Sequence, residues 1–570
     1  MPVEPERLKS VPLLKSLSDQ DLAHVASKMT RIHLAASETL FRAGEAGDAI
    51  YILAAGSLGI YAEDNPLSRR LVALTKPGET VGEMALITDE PRSATVIGIR
   101  DSTLFKLTRQ NFERLVTLYP SILIGVSRLL AERLRASFDP QGPRIEPKVT
   151  ALLPVTSSCA PLDMANRLAD ILRASGSSVF IATSDDRDQR TGWFAELESQ
   201  YDHVLLCGDI TSNDWLGRCA RQADRILVLS RSEDVLFSRF QSALLAQRAE
   251  HQLVDLVVLH DSERRRPTGT YRCHKDLCFN RHFHIREHQP QDWQRLARLV
   301  SGKAVGLVLG GGGARAYAHI GVYKACLEKG IPIDFVGGTS MGAIIAACIA
   351  MGWNLDDIIR RIRATFVKSN PLSDYSLPLL GLVSGAKVER LLKEHFRDIQ
   401  IADMWLPFYC VSSNLTTASV HIHMSGMVRE ALRASISLPG ILPPVINDTG
   451  VLVDGGVMNN LPVDIMQQQN PGAVIAVDVA RDLSLTPDAL RREQEKPLWR
   501  RFLSPPIFSI LMRSGTLASE AENQVQLSAS DLSITPSLGD IDIRHWRRFD
   551  DVVEAGYQSA MATLEQFNVS

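Results

Sequence analysis

The chain has 570 residues, 45% hydrophobic and 22% charged, with 62 lysines and arginines against 65 aspartates and glutamates for a net charge of −3. At roughly 150 residues per domain this predicts three to four domains with ample apolar cores, which excludes wholesale disorder, while the balanced charge excludes a bulk basic field for nucleic acid. The longest apolar run, Ala343–Met351, excludes an integral membrane protein but not one that rests on a membrane surface, and eight cysteines without paired spacing predict a reducing, cytoplasmic setting.

Residues 1–140 read as one domain. Helical spacing around Leu22–Met29 is followed by strand-like runs at Ala49–Leu53, Leu58–Ala62 and Leu71–Leu74, punctuated by Gly44, Gly47, Gly56, Gly78 and Gly82. Helical spacing returns over Arg109–Phe138, so a small β-barrel flanked by helices is expected. Gly82-Glu83 and Pro91-Arg92-Ser93 have the composition of an anion pocket. The Gly82 backbone can approach phosphate oxygens, Arg92 can pair with them, and Glu83 can accept from a sugar hydroxyl. An Arg–Glu pair in a surface turn is the plainer alternative. The stretch resembles the phosphate-binding cassette of cyclic nucleotide-binding domains. That resemblance implies a β-roll in which Glu83 takes the ribose 2′-hydroxyl and Arg92 the cyclic phosphate, with Gly82 and Ser93 in the same pocket. It also implies cAMP or cGMP as a regulatory ligand, and Ser93 does not decide between them.

Asp139–Pro147, with three prolines and a glycine, reads as a linker. Residues 148–300 then alternate apolar runs (Thr150–Val155, Ser178–Ala182, His203–Leu206, Arg225–Leu229 and Leu253–Leu259) with helical patterns, which predicts a parallel α/β sheet. Two of these runs look like strands of a ParA/MinD-type nucleotide-binding sheet. No G-K-[ST] loop precedes them, so a degenerate scaffold is expected rather than an ATPase. Cys273, His274, Cys278, His282, His284 and His288 crowd one segment, but the Cys-x4-Cys spacing is loose and no metal site is expected.

Residues 301–570 carry the catalytic candidates. A strand-like run at Val305–Leu309 leads into Gly310, Gly311, Gly312 and Gly313, and a helical pattern follows from Tyr317. Such a loop can cradle a phosphate or stabilise an oxyanion through its amides. A second run, Ile333–Val336, leads into Gly338-Thr339-Ser340-Met341-Gly342 and a strongly helical Ala343–Ala350, which is G-x-S-x-G in strand–turn–helix context. Downstream, Val451–Val453 ends in Asp454-Gly455-Gly456, a carboxylate at a strand end that can take the serine proton directly if burial raises its proton affinity. His319, His395, His421, His423 and His545 are available for a triad, but no motif directs them towards Ser340. A dinucleotide fingerprint through Gly311, Gly313 and Ala316 fails because Asp334 opens the second strand instead of closing it.

Residues 305–342 and 454–456, with Leu432–Pro444 (LRASISLPGILPP) between them, resemble the patatin-like phospholipases. The module order resembles the neuropathy target esterase group in a bacterial-type version without a membrane anchor. The resemblance implies Ser340 as nucleophile, Asp454 as its partner, and Gly310–Gly313 with Arg315 as the oxyanion loop; Ala316 stands where the family usually has glycine. It also implies hydrolysis of phospholipid or lysophospholipid esters with no catalytic cofactor, inside the cell and peripheral to the membrane's inner face. Leu498–Met512 mixes aromatics with cations and reads as a docked segment or a lipid contact. The competing class is a signalling or scaffold protein whose hydrolase fold is inactive.

Overall fold

The computed structural model describes the chain apart from residues 1–2, 4–7, 10, 12–13, 16, 66–67, 76, 124, 129–146, 190, 232–251, 262–265, 271–278, 370–372, 376–380, 471, 481–520, 540 and 566–570. Residues 139–146 of the expected linker, Leu498–Met512, Cys273, His274 and Cys278 therefore lie outside the described residues. Two compact units emerge: Met1–Leu259 with Cys273–Asn280, and His260–Arg272 with Arg281–Ser570.

The first unit opens with α1 (Asp19–Ser27), started by a capping box between Ser18 and Asp21. Strands β1 (Thr30–Leu34), β2 (Thr39–Phe41), β3 (Ala49–Ala55), β4 (Leu58–Asn65), β5 (Ser68–Thr75) and β6 (Thr80–Val81) follow. After α2 (Glu83–Ile87) come β7 (Thr95–Gly98), β8 (Ser102–Thr108) and α3 (Arg109–Leu118). They form two four-stranded antiparallel sheets, β1-β8-β3-β6 and β2-β7-β4-β5, a β-roll. Alternation along β3 sends Ile50 and Ile52 into one apolar cluster, with Phe112 and Leu115 of α3, and Tyr51 and Leu53 into another.

The same unit continues with β9 (Val149–Pro154), α4 (Pro161–Ala174), β10 (Val179–Ala182), α5 (Thr191–Gln200), β11 (His203–Cys207), α6 (Asn213–Gln222), β12 (Arg225–Arg231) and β13 (Leu253–His260). These strands are parallel in the order β10-β11-β9-β12-β13, with β9 and β12 buried along nearly their whole length. Their near-continuous apolar character is what a sheet covered on both faces requires. Arg100, in the β7–β8 turn and 3% exposed, joins the roll to this sheet. It makes paired bonds of 2.7 and 2.6 Å to Glu198 of α5, and its Nε lies 3.1 Å from Asp224.

In the second unit β14 (Arg281–Arg286) and α7 (Pro290–Val300) precede β15 (Gly306–Leu309), α8 (Ala318–Glu328), β16 (Phe335–Thr339) and α9 (Ser340–Ala350). There follow β17 (Phe408–Asn414), β18 (Ser419–His423), α10 (Val428–Ser435), β19 (Val445–Asn447), β20 (Gly450–Asp454), β21 (Val474–Val477), β22 (Leu532–Ile534) and α11 (Phe549–Leu564). The sheet order is β19-β20-β17-β16-β15-β21-β22, with β18 also on β17. β15, β16, β17, β21 and β22 run parallel, while β18 and β20 pair antiparallel with β17. Asp334 is 1% exposed and held by Arg298 at 2.6 Å and by the Val305 amide, so its carboxylate braces the sheet and is not free for a ribose. Among the described residues no helix is long and apolar enough to cross a membrane.

Candidate active site

β16 ends at Thr339, and the chain turns sharply into α9 at Ser340, whose φ of +54° is a left-handed value that costs a non-glycine residue free energy. Only glycine fits on either side. A Cβ on Gly338 would lie 2.4 Å from the Leu309 carbonyl oxygen, and one on Gly342 would lie 2.3 Å from the same atom. That crowding is the physical content of G-x-S-x-G here.

Strand register brings the carboxylate to the serine. β17 pairs Val411 with Thr339 of β16 and, one residue further, Ser412 with Asp454 of β20. Since β18 occupies the other edge of β17 from Cys410 to Asn414, β20 continues the edge that β16 leaves at Thr339. Ser340 and Asp454 therefore meet, and the Ser340 hydroxyl donates to Asp454 Oδ2 at 2.6 Å. Asp454 is 1% exposed, and its Oδ1 accepts from the Gly456 amide at 2.8 Å. Burial pushes its carboxyl up to about 7, against the opposing pull of those two hydrogen bonds.

The glycine loop differs in detail from the expectation. The Gly310 amide is bonded to Val477 O at 3.0 Å and the Gly311 amide to Asn460 O at 3.3 Å. Gly310 and Gly311 thus frame the loop, and the amides of Gly312 and Gly313 are the ones without an acceptor among the described residues. Arg315, 2% exposed, directs Nε to Val479 O and Nη1 to Ile541 O, so its guanidinium fastens the loop to neighbouring backbone. Ala316 is fully buried beside it without displacing these contacts.

Sequence reasoning assigned no role to four further residues. Ser435, at the end of α10, accepts the Ser340 amide on its hydroxyl at 3.0 Å, and Ser437 accepts the Asp454 amide on its carbonyl. Both stand in Leu432–Pro444, the segment that contributed to the resemblance without an assigned role. His319 Nε2 donates to Gly310 O at 2.7 Å, and burial pushes its imidazole down to about 4, so it supports the loop as a neutral ring. Asn460 directs its side-chain amide to Gly311 O at 3.3 Å. Among the described residues no histidine is hydrogen-bonded to Ser340 or Asp454. His423 bonds Ser412, His395 bonds Thr365, and His545 accepts from the Asp542 amide. His284 is occupied on both ring nitrogens, by His260 and by Ala402 O.

In the β-roll, Gly82 caps α2 at a φ of +87°, and a Cβ there would lie 2.3 Å from Arg92 Nη1. Arg92, 3% exposed, bonds Gly82 O and Ala49 O at 2.8 Å each and Asp48 at 3.2 Å, with its guanidinium 4.2 Å from the Phe41 ring centre. Its buried Nε has no acceptor among the described residues. Glu83 is buried at the start of α2 within reach of Thr80, and Ser93 is exposed. Gly82, Glu83 and Arg92 are thus gathered around one turn.

Three family models match in chain order: a cyclic nucleotide-binding domain over residues 31–119, a neuropathy target esterase family P-loop like domain over 148–300, and a patatin-like phospholipase over 307–466. Among relatives, the chain is 31% identical to a Mycobacterium tuberculosis protein described as an uncharacterized NTE family protein, covering 98% of this chain and 96% of that one. It is 29% identical to the human patatin-like phospholipase domain-containing protein 6, over 93% of this chain and 44% of that one. It is 28% identical to the lysophospholipase NTE1 of Kluyveromyces lactis, over 96% of this chain and 48% of that one.

Proposed function

The chain belongs to the NTE family, and from that premise we propose that it is a serine esterase cleaving carboxylic esters of phospholipids or lysophospholipids, acting at the cytoplasmic face of a membrane. Ser340 Oγ attacks the ester carbonyl carbon while its proton passes to Asp454 Oδ2. The oxyanion that forms accepts hydrogen bonds from the amides of Gly312 and Gly313. Collapse of the tetrahedral intermediate breaks the bond to the leaving alkoxide, which takes the proton from Asp454 and departs as the alcohol. The acyl group stays on Ser340 until water, giving a proton to Asp454, attacks the acyl carbon; the bond to Ser340 Oγ breaks, Oγ takes the proton back from Asp454, and the fatty acid is released.

One contact carries this reading: the 2.6 Å bond between a strained, half-buried serine and a buried carboxylate poised near neutrality. Within the same proposal the β-roll binds a cyclic nucleotide through Arg92 and Glu83, and it regulates hydrolysis only if nucleotide binds the active and inactive forms unequally. The test is labelling of purified full chain with a fluorophosphonate probe, beside a lysophospholipid and phospholipid panel with and without cAMP or cGMP. Wild type should label and hydrolyse, and Ser340→Ala should do neither. Labelling that survives the substitution would move the nucleophile elsewhere. A folded wild type that neither labels nor hydrolyses would favour the scaffold alternative, and rates indifferent to saturating nucleotide would remove the regulatory part.

A further inference from the structure

The peptide joining Gly311 to Gly312 lies beside the nucleophile: a Cβ on Gly311 would stand 3.1 Å from Ser340 Cβ and 2.5 Å from Asn460 Oδ1. Asn460, 6% exposed, holds Gly311 from both sides, accepting its amide on the backbone carbonyl and donating its own side-chain amide to the Gly311 carbonyl. In a trans peptide the C=O and the following N–H point in opposite directions. With the Gly311 carbonyl held towards Asn460, the Gly312 N–H must point away from Asn460. Among the described residues no other donor takes that carbonyl, and a peptide between two glycines has little intrinsic resistance to rotation.

We propose that Asn460 is a positioning residue whose side-chain amide sets the orientation of the Gly311–Gly312 peptide and so keeps the Gly312 amide available to the oxyanion. The inference rests on the esterase reading above. It also gives a function to the second asparagine after the D-G-G turn, which neither the dyad nor the glycine run accounts for.

The experiment compares wild type, Asn460→Ala and Asn460→Asp in hydrolysis of a p-nitrophenyl ester, recording kcat and KM across pH together with thermal melting. Removing one oxyanion donor costs about 10²–10³-fold in kcat, and loss of its positioning should approach that range in Asn460→Ala with KM within about threefold. Asn460→Asp should fall lower still, because a carboxylate would face the Gly311 carbonyl and the developing negative charge. In Asn460→Ala the acid limb of the pH profile should stay where it is in wild type, since the Ser340–Asp454 pair is untouched, whereas in Asn460→Asp the second carboxylate near Asp454 should move it to higher pH. If Asn460→Ala does not fold, Asn460→Asp, which keeps the side-chain volume, carries the measurement. Unchanged kcat in a folded variant overturns the proposal. So does a loss in Asn460→Ala accompanied by a displaced acid limb, which would mean that Asn460 acts through Asp454. A folded wild type that turns over no ester sinks the esterase reading and this inference with it, whereas active wild type with unaffected variants sinks this inference alone.

Discussion

Asp454→Asn separates two consequences of burying a carboxylate beside a nucleophile. Burial raises this carboxyl from 3.8 to about 7. At about 1.4 kcal/mol per pH unit, ionised Asp454 is therefore disfavoured in the folded chain by about 4 kcal/mol relative to the unfolded one. Below the unfolded value both states hold the proton and nothing is lost. Between 3.8 and about 7 the unfolded chain has released a proton that the folded chain keeps, so stability falls as pH rises through that window and stays reduced above it. Asparagine keeps the shape, can donate to Ser340 Oγ and can still accept from the Gly456 amide, but it carries no charge. The variant should match wild type near pH 4 and exceed it at pH 8 by up to about 4 kcal/mol, a rise in melting temperature of roughly 8–16 °C at most for a domain of this size. The same change removes the base, and turnover should fall by about 10²–10⁴-fold. Melting curves and ester hydrolysis on both proteins from pH 4 to 8 make the comparison. Melting temperatures that run parallel at every pH would refute the claim that burial holds the proton on Asp454. A wild-type acid limb far below 7 would refute it as well.

Two further outcomes concern the first unit. Arg92→Ala should abolish binding of cAMP and cGMP in calorimetry and also weaken the β-roll, because Gly82 O and Ala49 O lose the guanidinium donor and Asp48 keeps only Lys106; retained nucleotide affinity would contradict the pocket assignment. Arg100→Met should cost about 3–5 kcal/mol in denaturant unfolding, since it leaves Glu198 and Asp224 without their shared cation. Burial raises the Glu198 carboxyl, so it can take up a proton when its partner is gone, and the loss should be smaller at pH 5 than at pH 8. A loss independent of pH would argue against a stranded carboxylate.

What the sequence made legible is whatever steric crowding writes into adjacent positions. Gly338 and Gly342 are forced by the Leu309 carbonyl, so the elbow around Ser340 could be read locally. The D-G-G turn could also be read, because a Cβ on Gly455 would lie 2.5 Å from Val411 O. The second strand was expected at Ile333–Val336 but runs Phe335–Thr339, because Gly337 and Gly338, which look like a turn, are strand residues kept small by the Tyr409 ring and Leu309 O. The contacts of Arg315 were not legible for a different reason: its place beside the loop is local, but the direction of its long side chain is decided by carbonyls 164 and 226 positions away. Ser435 and Asn460 were invisible likewise, since their partners lie 95 and 149 positions off and no spacing rule spans such distances. The Arg100–Glu198 pair, 98 positions apart, left no local trace either.

The two halves of the Ser340–Asp454 pair stand 114 positions apart and meet only because β17 carries β16 and β20 along a single edge. A chain returning from denaturant can wind α8 and α9 from contacts between near neighbours, but this encounter must wait for the slow closure of distant segments. Recovery of hydrolysis should therefore trail recovery of helical circular dichroism, which makes turnover a clock for the completion of strand pairing.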